Sequence, residues 1–352
     1  MVVKWLMFGL FLLASACTAA WLLAPVNAES WEADSNPGLT GVFSPNTALA
    51  GVHQISMPGI GPEAIACASD GSRWTGLVDG RILRIDNNET FTEMANTGGR
   101  PLGMKFDVDG NLIVADAVKG LISINPSGAV TILADSHDGK PLLFVDDLDI
   151  DNQGRIWFSD ASERYSFKET MLDFLEASRT GRLMSYDPSS GKTAVHMDGL
   201  FFANGVAMGP NKAWLLINET GTGRIHRYWI EGPRAGESEV FIKELPGTPD
   251  NVTFDGKETF WVSLPSLRRS LDVLSDKPAL RQIVSALPET LQHSAASITS
   301  FVIGINLNGE VTHNLQDPAG GYHYITSAIA CDDELWFGSL AMQSVARMPA
   351  FN

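Results

Sequence analysis

The stretch NGVAMGPNKAWLLINETGTGRIHRYWI (Asn204–Ile230) decides the fold. Small and aliphatic residues run from Asn204 to Met208 into a Gly-Pro-Asn turn. A second apolar run begins at Trp214, and a Gly-Thr-Gly turn opens a third that carries Tyr228 and Trp229. β-Forming runs separated by such turns read as antiparallel hairpins. The pattern recurs in EAIACASDGSRWTGLVDGRILRI from Glu63, LGMKFDVDGNLIVADAVKGLISI from Leu102 and DDLDIDNQGRIWFSD from Asp146. It returns in DNVTFDGKETFWVSL from Asp250 and TSAIACDDELWFGSLAMQSVARM from Thr326. In all but one unit the second strand is marked by a tryptophan: Trp74, Trp157, Trp214, Trp261 or Trp336. The units start about 40 to 75 residues apart, in the range of propeller blades. The fold class expected is all-β, a six-bladed β-propeller preceded by an N-terminal hydrophobic helix. LAGVHQISM (Leu49–Met57) is expected to give an outer strand to the last blade, which removes the open edge of the ring.

The expected organisation is a signal peptide or membrane anchor over 1–28, a linker over 29–49 and the propeller over 50–352. Lys4 precedes an apolar run from Trp5 to Leu23, and VNAES then places Val26 and Ala28 before a plausible cut. The run is also long enough to span a bilayer, so anchor and cleaved signal both remain open. The continuing run weakens a lipoprotein reading of Cys17. In each version the propeller leaves the cytoplasm, held at the membrane by its N-terminal segment or released after cleavage near Ala28. The 352 residues are 44% hydrophobic and 19% charged, with a formal net charge of -16 and no basic cluster, which excludes nucleic acid as a partner. Three cysteines make no disulfide framework. Cys67 and Cys331 either pair or remain two buried thiols.

The first strand of a blade lies innermost, so the residues that open the units, Glu63, Leu102, Asp146, Asn204, Asp250 and Thr326, face one another around the channel. Four carry a carboxylate or amide oxygen, and Asp147 and Asn251 stand alongside. Like charges on a narrow axis repel and lose hydration, so the arrangement calls for a cation. Hard oxygen donors without Cys or His select calcium over zinc.

Other motifs dissolve in the repeat. DIDNQGRIWFSD (Asp149–Asp160) imitates part of an EF-hand loop but falls where other blades turn, and DPSSGKT (Asp187–Thr193) lacks the glycine and helix of a phosphate loop. No G-x-S-x-G elbow is present, and of the seven histidines only His323 falls near the channel mouth. Two inserts, 164–178 with Phe167, Met171, Phe174 and Leu175, and 275–291 with Leu280, Ile283, Val284 and Leu287, read as short amphipathic helices placed to roof the channel.

GRPLGMKFDVDGNLIVADAVKGL, FVDDLDIDNQGRIWFSDAS, TGRLMSYDP, ANGVAMGP, RYWIEGPRAGESEVF and LPGTPDNV resemble the strictosidine synthase-like family, which includes the adipocyte plasma membrane-associated proteins. The resemblance covers nearly everything after Ala50 and implies kinship with gluconolactonases and paraoxonases, which are calcium-dependent six-bladed propellers. It implies Glu63, Asp146, Asn204, Asp250 and Asn251 as metal ligands, and Asp250 as a catalytic base or as a ligand only. Departures limit the transfer: Asp146 replaces a usual Asn, Leu102 stands at the paraoxonase histidine, and Thr326 at the glutamate of true strictosidine synthases. The expected function is a calcium-dependent hydrolase of small ester or lactone substrates. The alternatives are a non-catalytic calcium-stabilised propeller that binds a partner and, behind both, a condensing enzyme. Glu219 is expected to make hydrogen bonds within its blade.

Overall fold

The computed structural model describes residues 5, 15, 18–268, 272–292 and 299–351. Six four-stranded antiparallel sheets follow one another along the chain. Their innermost strands are Ile65–Cys67, Pro101–Phe106, Val145–Ile150, Ala203–Met208, Val252–Phe254 and Ile325–Cys331. Each packs on the innermost strand of the next blade and the last packs on the first, which closes a six-bladed propeller. The closing blade takes its outer strand from the other end of the chain: His53–Ser56 pairs with Ser344–Pro349, His53 opposite Arg347 and Ser56 opposite Ser344. No blade is left with an open edge at the junction, as the Leu49–Met57 segment suggested.

The core lies between blades. One apolar layer joins Ala66, Trp74 and Ile82 of the first blade to Met104, Leu112 and Val114 of the second. Equivalent layers fill each of the other junctions, and the repeat tryptophans are buried in them. In five of the six blades a tryptophan on the second strand therefore bridges neighbouring sheets, with Trp74 edge-on to Phe106 at 5.4 Å and Trp214 against Phe260 at 5.5 Å.

The turns absorb the motif imitations. The Asp151 carboxylate accepts the backbone N–H groups of Gln153 and Arg155 and the Trp157 indole N–H at 2.9 Å, so the EF-hand look-alike is a hairpin turn. Asp187 caps its own turn in the same way through Ser189. Cys67 and Cys331 form a disulfide with their Cα atoms 5.9 Å apart, which joins the ends of the first and last innermost strands.

Both inserts contain helices, Thr170–Glu176 and Pro278–Ser285, and these pack on each other. Residues 29–49, expected as a linker, lie against the propeller: Trp31, Phe43 and Leu49 are buried. Trp31 donates its backbone N–H to Ser275, and Asp34 makes a two-pronged ion pair with Arg224. The expected N-terminal hydrophobic segment lies mostly outside the described residues. A helical turn over 18–22 is described, and no described helix is long and apolar enough to cross a membrane.

Candidate metal centre

The innermost strands begin at one end of the channel, and there the fold gathers Glu63, Asp146, Asn204, Asp250 and Asn251. Neighbouring strands approach each other at backbone distance. A Cβ at Gly205 would stand 2.5 Å from the Val252 nitrogen and 2.6 Å from the Asp250 carbonyl, so this position requires glycine. Gly205 N–H donates to the Asp250 carbonyl, Asn251 N–H to the Thr326 carbonyl, and the Thr326 and Ser327 hydroxyls to the Glu63 carbonyl at 2.7 and 2.8 Å. These bonds stitch the fourth, fifth, sixth and first blades in turn.

The side chains fill the space within this ring. Asn251 donates its amide to Glu63 Oε1 at 2.7 Å, and the Asn204 amide bonds to the Asp250 carboxylate. Glu63, Asp146, Asn204 and Asn251 are buried, whereas Asp250 is half-buried. Burial raises the Glu63 pKa to about 7 against the pull of the nearby Arg100 guanidinium. Asp146 is held well above the carboxylate range by burial and by repulsion from Asp250 and Glu63, and Asp250 by burial and Glu63.

Three oxygens at this point, Glu63 Oε2, Asn204 Oδ1 and Asn251 Oδ1, are buried without a hydrogen-bond partner. Leaving one such group unsatisfied costs about 1–3 kcal/mol. Three together beside carboxylates under mutual repulsion fit a hard cation with oxygen ligands. Among the described residues no three His, Cys, Asp or Glu side chains are gathered closely enough to hold an ion unaided. The donor set depends on the two asparagine amides.

Asp147 faces elsewhere. Its two carboxylate oxygens accept the N–H groups of Leu148 and Val206, each at 2.8 Å, and Asp149 reaches Met208 likewise. Both are struts between the third and fourth blades. Glu219 accepts the Phe201 N–H and pairs with His226 at 2.8 Å, the blade-internal role expected of it. The Thr326 hydroxyl is committed to the Glu63 carbonyl, and His323 donates from Nδ1 to the Gly320 carbonyl.

Leu102, the ring position without an oxygen, joins Phe144, Phe201 and Phe202 in an apolar cluster beside the donors. The Thr170–Glu176 helix covers it by stacking Phe174 on Phe202 at 4.7 Å, and Trp31 closes edge-on to Phe201 at 5.3 Å. Two contributors were not legible in the sequence. Asn218 is fully buried and donates its amide to the Asp250 carbonyl, though in sequence it shows only as a glycosylation sequon. Arg100 is buried with Nη1 on the Gly61 carbonyl and its guanidinium 5.9 Å from the Phe167 ring, while Nε and Nη2 have no partner. Its signal was its place in GRPLG, two residues before Leu102.

The comparisons agree with this architecture. Family models of strictosidine synthase and of the strictosidine synthase-like N-terminal region match residues 146–233 and 41–85. The adipocyte plasma membrane-associated protein of Rattus norvegicus is 31% identical over 353 residues, covering 93% of this chain and 93% of that protein. Among solved structures, a gluconolactonase from Xanthomonas campestris superposes with a TM-score of 0.62 at 15% identity, over 93% of this chain and 99% of that one. A calcium-binding regucalcin from Agrobacterium tumefaciens gives 0.57 at 14%, over 81% and 84%. At these identities the two structures speak for the fold alone.

Proposed function

The chain belongs to the strictosidine synthase-like family, which includes the adipocyte plasma membrane-associated proteins, and on that premise we propose that it is a calcium-dependent hydrolase of esters or lactones acting outside the cytoplasm. The observation that carries the reading is the trio of partnerless buried oxygens on Glu63, Asn204 and Asn251, set beside Asp146 and Asp250. These five residues would hold the ion. When bound, calcium would polarise a carbonyl, favour the developing oxyanion and acidify a water. Asp250, half-buried where the other four are buried, would take the proton of the attacking water in its ionised form, which a cation beside it would favour. The Asn204 amide orients that carboxylate, and Asn218 fixes the backbone beneath it. The packed cluster of Leu102, Phe144 and Phe202 beside the donors keeps bulk water from the reacting carbon.

Support from kinship is coarser: the Xanthomonas neighbour is a gluconolactonase and the Agrobacterium neighbour is calcium-binding. The division into a leading segment (1–28), a linker (29–49) and a propeller (50–352) belongs to the same proposal. So does attachment through the N-terminal segment or release near Ala28, and the rat relative is named for the plasma membrane.

A second reading has an observation of its own. The donors are woven into the ring and four of the five are buried beneath the roof, as befits an ion that locks the blades without chemistry. Initial rates on ester and lactone panels, with chelator and after calcium is restored, separate the two. Under the hydrolase reading turnover vanishes with chelator and returns with calcium. Asp250→Asn then loses turnover by about 100-fold or more while calcium still raises its melting temperature. Calcium-dependent melting with no turnover on any substrate assigns the ion a structural role.

A further inference from the structure

The second roof helix, Pro278–Ser285, is inside out. Its buried residues are Arg281 and Ser285, while Leu280 is 45% exposed, Ile283 and Val284 are half-covered, and Leu287 beyond its end is 40% exposed. A surface helix ordinarily turns its apolar stripe to the core. Here the orientation is fixed by polar contacts on the other side. Arg281 donates to the backbone carbonyls of Leu274, Leu175 and Glu29, and its guanidinium lies 4.5 Å from the Trp31 ring centre. Three segments of the roof converge on one arginine, and the leucines are held outward.

The N-terminal chain arrives at this helix. Gln282 donates its amide to the Trp21 carbonyl, and Trp21, Leu22 and Leu23 are exposed beside it, Leu23 by 80%. These three end the apolar run that begins at Trp5, which in sequence is long enough to enter a bilayer. From there the chain turns into the roof, where Asn27 and Glu29 donate their N–H groups to Glu176. Large exposed apolar residues elsewhere stand singly, as Val108 does in a turn on the far side of the propeller, or in pairs such as Ile60 with Val78 and Val130 with Ile132. An outward leucine stripe next to the end of an apolar anchor has one occupant that suits both.

We propose that the roof is a membrane-docking surface: the stripe of Leu280 and Leu287 rests in the outer acyl region of an electrically neutral bilayer, and the channel mouth faces that bilayer. The net charge of -16 selects a zwitterionic surface over an anionic one. An apolar helix face lying in the interface reaches about 5–10 Å below the headgroups. The docking stands on the roof's geometry and is independent of whether the channel performs catalysis.

The test uses the full chain with Cys17→Ser, reconstituted in phosphatidylcholine vesicles and carrying a fluorophore at Leu287→Cys or, as the far-face control, Val108→Cys. Melting temperatures confirm that both labelled chains fold. The expected result is that lipid-chain nitroxide quenches the label at 287 and not at 108, while iodide quenches 287 roughly five-fold less than 108, as interfacial burial requires. Equal iodide quenching at both positions overturns the proposal, since the roof then faces water. Shielding at 287 from both quenchers also overturns it, because protein, either a second copy or a segment of this chain, then covers the stripe. Repeating the comparison with Leu280→Cys guards against a local effect of one label.

Discussion

At the scale of single residues, the channel oxygens were legible because carboxylates or amides open four of the six units at one equivalent place, and an oxygen at the start of an innermost strand has few destinations other than the axis. Asp146 and Asp147 show the limit of that argument. Adjacent residues on a strand point to opposite sides, so one joins the donors while its neighbour bonds Leu148 and Val206. Arg100 and Asn218 escaped notice because their roles depend on who lies across the channel. Asp173 escaped for a similar reason. It is fully buried on the inner face of the first roof helix, accepts the hydroxyls of Ser162 at 2.5 Å and Ser178 at 2.7 Å, and is pushed by burial to about 6. Folding therefore favours its protonated form. That stabilisation is complete below the unfolded value near 3.8 and disappears as pH rises through about 6. Replacing it by asparagine removes the dependence. At saturating calcium, the stability of wild type relative to Asp173→Asn should fall by about 2–3 kcal/mol between pH 4 and 6.5, read by denaturant titration. Parallel curves would show that Asp173 has an ordinary acidity.

At the scale of elements, both insert helices were visible from their apolar spacing, but the direction in which the second one faces was not. Arg281 reverses it through carbonyls supplied by residues 106 and 252 positions away, and no periodicity within the helix carries that information. The segment 29–49 was opaque for the same reason. Its composition is that of a connector, yet Trp31 enters the aromatic cluster and Asp34 clamps Arg224 across 190 residues. Trp31→Ala should therefore cost about 3 kcal/mol, the lower end for truncating a buried tryptophan. The loss should be local: amide exchange in Thr170–Glu176 and Pro278–Ser285 should quicken, while the innermost strands keep their protection. Uniform acceleration throughout the propeller would mean that the strap is part of its cooperative core.

At the scale of the whole molecule, the repeat made the ring legible before any contact was known, because only closure hides six sheet edges and six apolar faces together. The partnership of Cys67 and Cys331 was undecided in the sequence, since it requires that the first and last blades meet. The bond spans 264 residues, and a crosslink over so long a loop typically contributes about 2–4 kcal/mol. The paired variant Cys67→Ala with Cys331→Ala should lower stability by that amount in guanidinium titrations, with the calcium response retained. An unchanged midpoint would leave the shared strand pairing as sufficient closure. That pairing, His53–Ser56 against Ser344–Pro349, also orders events in time. Ribosomes release the amino end first, so an early strand must wait, unpaired and adhesive, until nearly the whole chain has been synthesised. Oxidation of the two cysteines then becomes a clock for this last step, and a chain halted before residue 344 is a natural client for chaperones that shield β edges.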